Sequence, residues 1–198
     1  LPYKPLVEKP MLRTGKKFFY ILWGVLLIYL FYRYVKNPEL FSVTYIKDFI
    51  SSYKGQIMTV YIILSSVRGF FLIPSTPFVI TGVLLFPDKL FLVLLISMFG
   101  IMLSATSLYY FADILGFSEH LEKKYPNKVK KWESKLQSSK ATFLVLGWSF
   151  FPFVPTDIIC YVAGIIKMPF KYMFTGVFLG ELILVSLYVY SGSFLNLY

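Results

Sequence analysis

The sequence predicts an all-α polytopic membrane protein in which two inverted re-entrant helical hairpins pack among transmembrane helices. Three observations carry that prediction. The first is composition: of 198 residues, 57% are hydrophobic and only 15% charged, the balance of a chain that meets lipid on most sides. The second is the stretch Ser149–Gly164, SFFPFVPTDIICYVAG, which is apolar yet holds Pro152, Pro155 and Asp157. A straight membrane helix does not carry that cluster, and proline would break a core strand. The limbs on either side of the break are about 9–11 residues long, too short at ~1.5 Å per residue to cross a ~30 Å hydrocarbon core. The third is that Gln56–Phe86 repeats the pattern: an apolar limb, the break Pro74-Ser-Thr-Pro77, and a short apolar limb containing Gly82.

Composition also excludes several functions. One cysteine, Cys160, rules out an internal disulfide or a CxxC metal site. One histidine, His120, leaves no room for histidine-rich zinc chemistry. No HExxH, DxxxD or Ser–His pattern appears, so an enzyme is not expected. The net charge of +10 comes without any nucleic-acid-binding motif, and it is read as setting topology and meeting anionic lipid headgroups. No cofactor is expected, and proton coupling is left open.

The elements follow in order. Residues 1–17 read as an extended basic tail with Pro2, Pro5 and Pro10 among five cationic side chains. Phe18–Val35 reads as a first spanning helix; a signal peptide is the competing reading, but no small-residue cleavage site follows. Tyr32, Arg33 and Tyr34 form an interfacial anchor. Pro38–Tyr53 is amphipathic and too polar to span, so residues 18–54 form a first helix followed by a surface helix. Residues 55–190 form the main membrane domain, with hairpins near 56–86 and 141–167. Between them, Lys89–Phe117 is a long apolar helix whose Gly100 and Ser104 permit close packing. Ser118–Lys140 is the strongly polar stretch, with seven lysines against three glutamates. Met168–Tyr190 is the last spanning helix, and residues 191–198 are a short tail.

An offset of 82 residues superposes Gly82 on Gly164 and Pro87 on Pro169, and it brings Pro74 to within one residue of Pro155, so the proline breaks align in part. Paired, proline-interrupted short segments in two halves point to a transporter site. With the N-terminus cytoplasmic, hairpin one enters from outside, the lysine-rich loop lies inside, and hairpin two enters from the cytoplasm. The hairpins are then opposed, as an inverted repeat requires. Counting both hairpins as full spans also leaves the loop inside, so limb length, not charge, decides.

The run Phe151–Gly164, followed by Phe170 and Gly176–Gly180, resembles the second-hairpin signature of the DedA superfamily, also called the SNARE-associated Golgi protein or VTT-domain family. Its bacterial branch is the most similar. Pro74–Pro87 and the helix carrying Gly100, Tyr109 and Gly116 share the likeness. Two departures stand out: Gly147-Trp148-Ser149 occupies the place where the family usually carries an arginine, and Glu181 follows Gly180 where proline is common. The resemblance implies a multi-pass protein of the bacterial cell membrane that translocates lipid, by scrambling or by flipping a phospholipid or polyprenyl phosphate.

The expected substrate path is Arg68, Ser75, Thr76, Thr156, Asp157 and Glu181, shaped by Pro74, Pro77, Gly82, Pro152, Pro155 and Gly164. Asp157 orients a headgroup, binds a proton or cation, or simply caps the following helix, a role Thr156 could also fill. Arg68 holds a lipid phosphate or snorkels to the interface. Glu181 pairs with Arg68, carries protons, or packs as a neutral group. Ser75, Thr76 and Thr156 offer hydroxyls to the path or to turns. The leading function is movement of an anionic phospholipid or polyprenyl phosphate between leaflets. A proton-coupled carrier of a small solute and a non-transporting membrane scaffold are the alternatives. Membrane lipids are the expected partners, nucleic acid is not, and a homo-oligomer is left open.

Overall fold

A computed structural model describes residues 10–114, 136, 140–151 and 155–194. All regular structure among them is helical. The basic loop Ser118–Lys140, apart from Leu136 and Lys140, lies outside the described residues, as do Pro152 and the extreme termini.

Helix α1 spans Pro10–Lys36. It begins within the stretch expected to be an extended tail, because proline in a first turn removes an N–H that has no helical partner anyway. It stops where Asn37 precedes Pro38, a position that disfavours helical backbone, and Asn37 leaves at φ −137°. A 3₁₀ turn, Pro38–Phe41, leads to α2, Val43–Ser51. The Ser42 hydroxyl caps α2 by accepting from the Tyr45 N–H at 3.2 Å. Ile46 and Ile50, four apart, are buried, while Tyr45 and Phe49 are exposed. That is the amphipathic helix the sequence predicts. Its inner face packs with Tyr61, Phe78 and Ile96.

Two units of the same order follow. In the first, α3 (Ile57–Val67) tightens into a 3₁₀ turn, Arg68–Phe71, breaks, and resumes as α4 (Thr76–Leu85) before the long α5 (Leu90–Ile114). In the second, α6 (Lys140–Phe150) and α7 (Thr156–Ile165) flank a break before the long α8 (Phe170–Phe194). The first break turns on Leu72, whose φ of 55° lies in the left-handed region, and on Ile73 ahead of Pro74. α5 and α8 are long and apolar enough to cross a membrane. By contrast α4 and α7, at about 1.5 Å per residue, each reach only about half of a ~30 Å core.

α7 lies along α5, and α6 lies along α8. Glycines set both approaches. A Cβ on Gly164 would run into the Tyr109 carbonyl and come within 2.8 Å of Ala112, and one on Gly180 would sit 2.7 Å from the Leu146 carbonyl. On α5, Gly100 faces the Ser65 carbonyl of α3 just as tightly, the close packing its small side chain predicts. The Tyr109 hydroxyl donates to the Met168 carbonyl at 2.6 Å and ties α5 to the end of the second unit. α1 is joined to the first break by Trp23, whose indole N–H donates to the Phe70 carbonyl at 3.0 Å.

The distribution of side chains is inverted relative to a water-soluble bundle. Ile28, Phe31, Phe91, Phe99, Phe143 and Leu144 face outward, while Arg68, Thr81, Ser97, Ser104, Asp157 and Glu181 are buried. Apolar outer faces around a polar interior suit a hydrocarbon solvent.

Candidate functional site

The two breaks meet inside the protein. A cavity of about 100 Å³ is lined by Arg68, Pro74, Ser75 and Thr76 from the first and by Phe151, Pro155, Thr156 and Asp157 from the second. Ile101 and Ala105 of α5 and Glu181 and Leu184 of α8 complete its described walls. All six residues expected to form the substrate path therefore share one cavity, although they come from three separate parts of the chain.

Arg68 organises the cavity. It sits in the 3₁₀ turn that ends the first limb and is 5% exposed. It does not snorkel to the interface, because its partners are internal. Nη1 donates to the Ile73 carbonyl at 2.8 Å, across the break in its own segment. The same nitrogen donates to Asp157 Oδ2 at 3.3 Å, joining the first break to the second. The rest of the planar fork carries donors used in neither bond.

Asp157 lies in the first turn of α7 and accepts from Arg68. The capping role considered for Thr156 or Asp157 is not found. Pro155 holds the cap position and makes no side-chain cap bond. At α4 the cap position falls to Ser75, again without a side-chain bond. Two uncapped helix N-termini thus border the same cavity, each with backbone donors and a partial positive charge.

Glu181 is 1% exposed. Its partner is Thr156, whose hydroxyl donates to Oε1, and not Arg68, which is taken by Asp157. Its other oxygen, Oε2, has no hydrogen-bond partner among the described residues. The Ser104 hydroxyl is likewise buried without one among the described residues. Ser104 stands against Gly69, and a Cβ there would strike it.

The hairpin-shaping residues divide. Pro74 and Pro155 line the cavity, and Pro77 lies in the first turn of α4. Gly82 and Gly164 sit at helix contacts, Gly82 beside the Tyr61 hydroxyl and Val93. Trp148, within the stretch Gly147-Trp148-Ser149, directs its indole N–H to the Pro155 carbonyl at 3.5 Å. It spans the second break as Arg68 spans the first, without bringing a charge.

A second space adjoins the first. It is an apolar slot of about 690 Å³ between α1 and the two breaks, with Leu27, Phe31 and Tyr34 on one wall and Phe71, Leu72 and Ile158 on the other. Pro74 and Pro155 belong to both spaces. Sequence reasoning missed this slot, and with it the role of α1. The slot walls are ordinary apolar residues and become a surface only once α1 docks on the breaks. Ile101, Ala105 and Leu184 were missed for the same reason.

No curated protein and no solved structure gave a significant match to the chain. The sequence profile of the VTT domain matches residues 73–194, a span that begins at the first break and runs through α8. The match covers more than half of the chain, and this integral membrane protein belongs to the VTT-domain family, the DedA/SNARE-associated Golgi protein superfamily.

Proposed function

We propose that the protein moves a phospholipid or polyprenyl phosphate between leaflets, with the headgroup passing through the cavity at the breaks and an acyl or prenyl chain lying in the apolar slot. The observation that carries this reading is the junction of the two spaces: a polar cavity with a buried cation shares Pro74 and Pro155 with a larger apolar slot. A polar end and an apolar tail on one ligand fit that arrangement, and a small hydrophilic solute has no use for the slot. Arg68 and the uncapped N-termini of α4 and α7 favour an anionic group at the polar end.

In this reading α3–α4 and α6–α7 are re-entrant hairpins, α2 rests at the membrane surface, and α5 and α8 cross. The Arg68–Asp157 contact, at 3.3 Å, is longer than the ~2.7–2.9 Å usual for a charge-assisted bond. A phosphate oxygen replaces Asp157 on the guanidinium as the headgroup enters, while the Ile73 carbonyl keeps Arg68 in place.

The experiment is leaflet exchange of a fluorescent phospholipid in liposomes holding the purified protein, beside an Ile158→Trp variant that fills the slot. Protein-dependent exchange that falls several-fold in the variant is expected. Exchange untouched by the bulky residue removes the slot from the path. A protein that exchanges no lipid is a solute carrier or a scaffold instead.

A further inference from the structure

Building on the lipid-transport reading, we infer that α1 is a hinged side wall of the apolar slot, latched onto the first break by Trp23, and that it swings away from the break to let a lipid tail pass. The argument begins with how lightly α1 is held. From Leu22 to Lys36 no side chain of α1 is buried, whereas α5 buries Val93, Ala105 and Leu108 and α8 buries Met173, Val177 and Val185. Trp23, Leu27, Leu30 and Tyr34 recur every three or four residues and so share one face of α1. Leu27, Leu30 and Tyr34 on that face line the slot of about 690 Å³. A side chain that faces a void lacks the contacts that dispersion would supply. The middle of α1 therefore stands off from the breaks, and contacts near Tyr34 and at Trp23 hold it.

The two attachments differ in kind. At the first, the Tyr34 ring meets Phe41 edge-on at 5.4 Å, and α1 ends at Asn37, whose φ of −137° and ψ of 69° are not helical. Pro38 follows and has no N–H to continue the helical ladder. A short non-helical joint of this kind absorbs a rotation, as hinges do. At the second, the Trp23 ring meets Phe111 of α5 edge-on at 5.0 Å, and its indole N–H donates to the Phe70 carbonyl at 3.0 Å. That carbonyl needs an outside donor for a reason written in the sequence. Its helical partner would be the N–H four residues on, and that residue is Pro74. The N–H three residues on, of Ile73, donates instead to the Arg68 carbonyl. In hydrocarbon a bare carbonyl is costly, so the Trp23 bond makes the latched position the resting one. The latch also grips the 3₁₀ turn Arg68–Phe71 that carries Arg68, so release at the tail side loosens the turn that holds the headgroup side. A lipid that changes leaflet must reverse the direction of its tail, and a hinged wall gives it room to do so.

The test uses the full-length protein in a Cys160→Ser background, in liposomes with an acyl-labelled phospholipid. Cysteines at Trp23 and Phe111 are joined by a short bifunctional methanethiosulfonate reagent, which a reductant cleaves. Leaflet exchange should fall at least about tenfold on cross-linking, as expected when a minor open state is removed, and should return on reduction, which shows that the linked protein was folded. Trp23→Phe keeps a ring but loses the N–H. With folding confirmed, it should exchange faster by about threefold, the scale of one interhelical hydrogen bond in a membrane. Exchange that survives cross-linking, or that Trp23→Phe leaves unchanged, overturns the inference while leaving lipid transport standing. Should the wild type exchange no lipid, transport itself fails, and the wall is read from the distance between nitroxides on Ile28→Cys and Phe99→Cys. A longer second distance that grows in Trp23→Phe supports the hinge, and one unchanged distance in both proteins overturns it.

Discussion

At the scale of single residues, the Arg68–Asp157 contact joins two parts of the chain 89 positions apart, and both partners are nearly fully buried. Removing one partner of a buried pair strands the other, at a typical cost of ~3–5 kcal/mol, while replacing both by apolar groups is often close to neutral. Arg68→Leu and Asp157→Leu should therefore each lower the melting temperature in detergent markedly, and the double variant should recover much of the loss. Strictly additive losses would mean that the two side chains do not interact. The ionisable members of the site were legible in the sequence because an Asp, a Glu or an Arg inside an apolar segment has few explanations. Their pairing was not. Whether Glu181 meets Arg68 or Thr156 depends on how α7 sits against α8, and nothing local to Gly180-Glu181 encodes that. Trp148 was legible only as part of the stretch Gly147-Trp148-Ser149, because its reach to the Pro155 carbonyl depends on the path of the second break.

At the scale of elements, close helix approach depends on a few glycines that have no room for a methyl group. Gly164→Ala would drive its Cβ into the Tyr109 carbonyl of α5, and backbone does not yield as a side-chain tip does. Overpacking of this kind costs ~1–3 kcal/mol, so the variant should melt earlier and show looser α5–α7 packing. Gly147→Ala is the internal control. No atom lies within 4 Å of its added Cβ, and alanine gains about 1 kcal/mol or less in helix propensity, so stability should hold or rise slightly. Equal destabilisation by both would remove the close-approach account. The breaks themselves were readable in advance, since Pro74 and Pro155 interrupt otherwise continuous apolar runs. The start of α1 was not: Pro10 in a first turn is as compatible with a helix as with an extended tail, and only the continuation decides.

At the scale of the whole molecule, short paired helices around a polar centre and long apolar helices beside them make a membrane protein with a polar interior. If α3–α4 is re-entrant, its two ends lie on one side of the membrane, and the ends of α6–α7 lie on the other. In a Cys160→Ser background, cysteines placed singly at Lys54 and Asp88 should react with a membrane-impermeant thiol reagent from the same side. Cysteines at Lys140 and Lys167 should react from the opposite side. Labelling of Lys54→Cys and Asp88→Cys from different sides would make α3–α4 a full crossing. The central claim is that a lipid phosphate passes Arg68 on its way between leaflets. It is tested most directly by comparing leaflet exchange of an acyl-labelled phospholipid for the wild type and Arg68→Gln, both confirmed as folded. Loss of a charged hydrogen-bond donor at ~1.5–3 kcal/mol predicts protein-dependent exchange in the wild type that falls about tenfold or more in the variant. Equal exchange by both proteins would contradict the account.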